Sequence, residues 1–274
     1  METIFIILAT VLGLIVGSFL NVVILRYNTG LTLNGRSMCL ACRRQLTWSE
    51  LIPVWSYFAQ KGKCRGCESK IAVQYVVVEI LTALIFLFIA LSASSTYVAG
   101  EYFQELRYIL WGGVVSAVLV VIAGYDLRHK IIPDELVYIF MAVATLSVFI
   151  VHLHFGFREL VWVLHGLYSG GILFALFWAI WHFSDGRLMG FGDAKLVFGI
   201  GLWLGLKASF ISLLIAFVTG AVVGLILIGL KNHKNLPKYL RVYTMKSELP
   251  FAPFLALGAI LSFILLAHAT PIAF

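Results

Sequence analysis

Eight apolar runs divide this chain, at 4–25, 74–92, 108–125, 134–152, 160–182, 193–206, 208–230 and 250–268, and they constrain its fold more than any other feature. Most approach the ~20 residues with which a helix crosses hydrocarbon. Of 274 residues, 61% are hydrophobic and 12% charged, about half the charge of an ordinary soluble domain. That much apolar surface cannot be enclosed in one water-soluble core, so lipid must solvate much of it. The expected fold is an all-α polytopic membrane protein with about eight transmembrane helices. The opening run starts almost at Met1 without a basic leader, which predicts a retained first helix. The sixth run is short and carries Gly199, Gly201 and Gly205, so it is expected to be tilted, broken or re-entrant. Small residues recur four apart at Ala9, Gly13 and Gly17, at Gly166 and Gly170, and at Gly220 and Gly224. That spacing lets helix backbones approach closely.

The formal net charge of +7 raises nucleic acid as a partner, and its distribution excludes it. Basic residues sit in short stretches between apolar runs and form no continuous patch that could track a phosphate backbone. Seventeen of the twenty Lys and Arg residues fall in alternate loops, at 26–73, 126–133, 183–195 and 231–249. The opposite side holds Arg107, Arg158 and Lys207. The positive-inside rule therefore predicts that loop 26–73 is cytoplasmic and both termini lie outside.

All four cysteines lie in that loop, as Cys39-Leu-Ala-Cys42 and Cys64-Arg-Gly-Cys67. Two CxxC pairs of this kind predict a four-cysteine zinc knuckle, in which a closed tetrahedral site staples a loop too small to bury a core of its own. A disulfide framework is the alternative, and a reducing cytoplasmic setting argues against it.

Carboxylates at the edge of an apolar span invite a functional reading. Asp126 closes the third run in Gly124-Tyr125-Asp126-Leu127-Arg128, and Asp193 opens the sixth in Gly190-Phe191-Gly192-Asp193-Ala194-Lys195. Two carboxylates sharing one proton supply a general base for water and an acid for a carbonyl oxygen. Asp134, between Pro133 and Glu135, is placed where proline and acids favour helix initiation. His129, His165, His182 and His268, with His152 and His154 on the other side, lack ligand spacing and are expected to be packing or interfacial residues.

At this point the residues resemble a family. Gly17-Ser18-Phe19-Leu20-Asn21-Val22-Val23-Ile24, the paired CxxC loop with Leu51-Ile52-Pro53 and Ser56-Tyr57, Asp126-Leu127-Arg128 with Ile132-Pro133-Asp134, and Gly190–Lys195 are similar, in order, to the motifs of bacterial type IV prepilin peptidases. The resemblance implies an intramembrane aspartyl endopeptidase of the GxGD type. It would remove the short basic leader of pilin-like precursors at the cytoplasmic membrane face, after a glycine. By motif, Asp126 and Asp193 match the catalytic pair, supported by Gly190, Gly192, Lys195, Pro133 and Asp134. The resemblance also implies methylation of the new N-terminal residue with S-adenosylmethionine, with Asn21, Arg26, Gly62 and Glu79 as candidate contributors. Two segments depart from the family pattern: Arg26-Tyr27-Asn28-Thr29-Gly30 lacks its proline, and Gln74–Val78 lacks its Arg-Tyr-Pro-like stretch. The functional division expected is 1–92, with the zinc loop and methyl transfer, and 93–274, the peptidase bundle.

Presenilin-like proteases also pair Tyr-Asp with GxGD, but the cysteine loop and Ile132-Pro133-Asp134 favour the prepilin group. A transporter using the two aspartates as ion sites is disfavoured, since both lie at run ends and no repeat is visible. Anionic lipids are an expected partner of the basic face, with Asp185 or Glu248 accepting leader charge.

Overall fold

The computed structural model describes residues 2–30, 32–33, 35–96, 102–151, 158–230 and 249–266. The basic run within 231–248, Glu248, His152, His154 and His268 lie outside the described residues. Among the described residues, each apolar run is helical along most of its length. The helices are α1 (Glu2–Arg26), α2 (Trp55–Ala59), α3 (Gln74–Thr96), α4 (Tyr102–His129), α5 (Asp134–Val151), α6 (Arg158–Phe183), α7 (Phe191–Leu230) and α8 (Ala252–Leu266). Five of them, α1, α3, α4, α6 and α7, are long and apolar enough to cross a membrane. Large apolar side chains stay exposed along their outer faces, among them Ile4, Leu8, Ile15 and Phe19 of α1, as lipid contact requires. This is an all-α membrane protein. Chain contacts divide it into two compact units, Met1–Val121 and Ile122–Phe274.

In the first unit α1 and α3 run antiparallel at very short range. Gly13 faces Ala83 and Gly17 faces Glu79; a β-carbon at either glycine would stand 2.8 Å from the facing Cα. The small-residue spacing read from the sequence is the face that makes this approach. The insert between the helices contains a 3-10 turn at Trp48–Glu50, the short α2, and two matching CxxC turns. In the turns, Cys39 N–H donates to Arg44 O and Cys64 N–H to Ser69 O, while Arg43 and Glu68 N–H return to the carbonyls of Cys39 and Cys64, all at 2.9 Å.

In the second unit α6 and α7 also run antiparallel on glycine. β-carbons at Gly166 and Gly170 would stand 2.7 Å from the carbonyl oxygens of Leu202 and Phe198. Gly258 of α8 abuts the Ser212 carbonyl in the same way, and Gly199 receives the Phe140 ring of α5. The runs 193–206 and 208–230 join as α7, interrupted at Gly205 (φ 71°, ψ 176°). That conformation is open to glycine and closed to other residues, so the expected irregularity of the sixth run is a break at its end.

Candidate aspartate site and metal centre

Three helix ends of the second unit supply the candidate site. Asp126 occupies the last turn of α4 and is 4% exposed. Its Oδ2 accepts the backbone N–H of Ala252, the first residue of α8, at 3.2 Å. A helix start carries N–H groups without intrahelical partners, and this carboxylate receives one of them. Asp193 lies in the first turn of α7 and is 8% exposed. Its own N–H donates to Gly190 O at 3.2 Å, tightening the turn that opens the helix. A β-carbon at Gly190 would lie 3.3 Å from Asp193 Oδ2, and one at Gly192 would lie 3.0 Å from Ile132 Cβ. The two glycines therefore leave room for the carboxylate and seat the 190–195 turn against Ile132-Pro133-Asp134. The two aspartates are close enough for the charge of Asp126 to be felt at Asp193. Two buried carboxylates within range of one another's charge can divide acid and base roles between them.

Lys195 does not address either buried aspartate. Its Nζ donates to both carboxylate oxygens of Asp134 at 2.7 Å and lies 4.8 Å from the centre of the Phe191 ring. The pair ties the start of α5 to the start of α7, a role that helix-initiation chemistry at Asp134 did not reveal. Asp185, expected to accept leader charge, already pairs loosely with Arg187 at 3.4 Å on the surface. His129 stacks on Tyr125 and His182 on Trp178, while His165 packs beside Gly205. The Ala252 N–H was invisible to motif reading, although Pro250 and Pro253 mark a helix start there.

In the first unit the ligand atoms of Cys39, Cys42, Cys64 and Cys67 all lie within 4.8 Å of one another. Cys39 Sγ and Cys67 Sγ are 3.9 Å apart. A tetrahedral Zn–S₄ site with Zn–S near 2.3 Å has sulfur atoms about 3.8 Å apart, so the donor set fits one ion. Backbone N–H groups of Cys42 and Ala41, with the Ser69 hydroxyl, pull the Cys39 thiol down to about 6. The Gly66 N–H, 3.4 Å from Cys64 Sγ, likewise lowers Cys64. At Cys42 the Arg44 N–H is outweighed by desolvation and the neighbouring thiols, which push it up to about 11. Part of the cluster is thus prepared as thiolate, the form that ligates metal.

Each candidate methyl-transfer residue has its own local contacts in the first unit, and Gly17 lies against both Asn21 and Glu79. Asn21 Nδ2 donates to Gly17 O and Tyr75 O, and its buried Oδ1 has no hydrogen bond among the described residues. Glu79 Oε2 accepts the N–H of Val54 at 2.7 Å. Arg26 turns to the Thr32 carbonyl, and Gly62 sits under the Tyr57 hydroxyl.

Comparison with known proteins follows the same lines. Residues 11–93 match the bacterial peptidase A24 N-terminal domain, and 113–225 match the type IV leader peptidase family. Proteins named prepilin leader peptidase/N-methyltransferase are similar along most of the chain. The Aeromonas salmonicida protein is 32% identical over 81% of this chain and 69% of its own length. The Pectobacterium carotovorum protein is 30% identical over 93% and 91%, and the Bacillus subtilis protein 32% over 93% and 92%. No solved structure matches. With two ordered family matches along the chain and relatives aligned over most of their lengths, the chain belongs to the type IV leader peptidase family.

Proposed function

We propose that this chain is a membrane endopeptidase that removes the basic leader of pilin-like precursors, using Asp126 and Asp193. The observation that carries the reading is the pair itself: two buried carboxylates delivered by opposite kinds of helix end, Asp126 from the last turn of α4 and Asp193 from the first turn of α7. One carboxylate takes a proton from water as the oxygen attacks the scissile carbonyl carbon; the protonated partner donates to the carbonyl oxygen. As the tetrahedral adduct collapses and the C–N bond breaks, one adduct hydroxyl returns its proton to the dyad and the leaving amine takes a proton from it, which restores the singly protonated pair. Gly190 and Gly192 keep the turn close to the Ile132-Pro133-Asp134 stretch, and the Lys195–Asp134 pair holds α5 and α7 in register.

Region 1–92 carries the zinc loop, with Cys39, Cys42, Cys64 and Cys67 holding a structural Zn2+, and region 93–274 carries the peptidase. Methylation of the new N-terminal residue by S-adenosylmethionine is the second activity, supported by the double name of the relatives, and it belongs to the first region, where Asn21 and Glu79 are buried. The cysteine loop and both aspartates face the cytoplasm, where the basic loops and anionic lipids meet a basic leader. The test is to mix the purified protein with a pilin precursor, with and without S-adenosylmethionine, and to read the new N-terminus by mass spectrometry. A precursor that stays intact in both samples overturns the peptidase reading; cleavage without a methyl mass increment overturns the second activity alone.

A further inference from the structure

The insert between α1 and α3 is tied down at an unusual backbone position. Val54 has φ 62° and ψ −53°, and the Trp55 N–H reaches back to Pro53 O at 2.6 Å. This is a γ-turn of the strained hand, centred on a β-branched residue. The Val54 N–H points to Glu79 Oε2 at 2.7 Å. Glu79 is 6% exposed and lies about 7.5 Å along α3 from its start at Gln74. The hook therefore pins backbone 53–55 beside the first turn and a half of a membrane-spanning helix, and whatever flanks it is level with the membrane boundary.

What flanks it is aromatic and uncovered. Trp48 is 80% exposed, Trp55 68% and Phe58 64%, with Leu51 and Ile52 beside them. A small water-facing insert has no reason to present such a face. The same insert, 27–73, carries seven Lys and Arg against two acids. Of the acids Glu50 is buried against Arg44, so the exposed charge, including Arg43, Lys61, Lys63 and Arg65, is overwhelmingly positive. Indole rings at headgroup level with basic residues around them are the chemistry of an anionic bilayer interface.

We propose that segment 48–58 is a membrane anchor, bedding Trp48, Trp55 and Phe58 in the headgroup–acyl boundary of an anionic leaflet, with the Glu79–Val54 hook setting its depth. The surface goes beyond the peptidase reading and does not depend on it. The full chain, labelled with fluorotryptophan, is placed in nanodiscs of phosphatidylglycerol and phosphatidylcholine, and W48F and W55F assign the two resonances. Both signals broaden several-fold more with a nitroxide on the upper acyl chain than with a soluble gadolinium chelate. Glu79→Leu shifts the Trp55 signal toward chelate broadening, whereas Val54→Gly, which relieves the backbone and keeps the N–H, leaves it lipid-broadened. Wild-type signals broadened by the chelate and not by lipid overturn the anchor. Signals shielded from both probes mean that protein covers the face, and also overturn it.

Discussion

The backbone N–H of Ala252 donates to Asp126 Oδ2 at 3.2 Å, joining positions 126 residues apart. It brings the first residue of α8 to the carboxylate that closes α4, so Asp126 is oriented by a helix other than its own. Proline is accepted in the first turn of a helix and lacks the N–H, so Ala252→Pro removes this one bond. A hydrogen bond to a charged group contributes about 1.5–3 kcal/mol. Cleavage by Ala252→Pro is expected to fall about 10–100-fold, chiefly in kcat. An unchanged rate with intact folding means that the N–H does not orient the carboxylate during reaction.

Asp126→Asn and Asp193→Asn should each lose cleavage by at least about 10²–10⁴-fold, because neither amide can exchange a proton with water or the leaving amine. The two losses are not additive: the double variant should be no worse than either single one, as expected for groups acting as a unit. Rates across pH for the wild type should form a bell, since one proton must be present on the pair and only one. Mass spectrometry of the processed precursor measures all four enzymes. Substantial turnover by either single variant removes the dyad.

Much of this architecture was legible because it is written in side-chain spacing. Ala9, Gly13 and Gly17 announced the α1–α3 face, the two CxxC pairs announced the cysteine cluster, and Gly190-Phe191-Gly192-Asp193 announced the turn that opens α7. What stayed hidden is written in backbone or in long-range pairing. Any residue but proline can donate the N–H that Ala252 gives to Asp126. Nothing about valine signals a positive φ, so the Val54 hook to Glu79 had no local sign. Lys195 and Asp134 are 61 residues apart, and each has a sufficient local explanation without the other. The break in α7 was half visible: three glycines predicted irregularity, and the backbone angles show that Gly205 takes it.

The Lys195–Asp134 pair is bidentate, but Asp134 keeps 53% of its side chain exposed. Solvent screening limits such a pair to below about 1 kcal/mol. A double-mutant cycle with Lys195→Met and Asp134→Asn, read by thermal unfolding in detergent, should return a coupling of about 0.5–1 kcal/mol. The effect on cleavage should be similarly modest, because Lys195 does not touch the dyad. A loss of cleavage as large as that of Asp193→Asn shows instead that Lys195 acts on the reacting groups.

Glu50 is buried in the insert, and Arg44 beside it, at 2.6 Å, is the main reason its carboxyl is held down at about 2; Thr47 contributes its N–H and hydroxyl. A depressed carboxyl stabilises the fold fully above its unfolded value near pH 4.3, and that contribution fades as pH falls toward about 2. Glu50→Gln should therefore weaken the insert by about 1–2 kcal/mol at neutral pH, between the values for an exposed and a fully buried pair, since Arg44 is partly exposed. Proteolysis within 39–67 reports the loss. The gap between variant and wild type should narrow below about pH 4; a gap that is constant with pH assigns the effect to packing rather than charge.

An insert of this size cannot be held by a core of its own, and the matched CxxC turns place four sulfur atoms where one ion can replace that core. The purified chain should carry one zinc, measured by elemental analysis. Intact mass should show four ligand cysteines without the loss of about 2 Da that each disulfide would cause. Cys64→Ser, which removes the buried ligand, should abolish metal retention and open 39–67 to protease. Strong chelation of the wild type should do the same, reversibly, because binding energy at a structural zinc site is folding energy. An insert that resists protease equally with and without metal is held by its own hydrogen bonds and by the Glu79 hook to the α1–α3 pair, and Glu79→Leu in the metal-free protein should then weaken it.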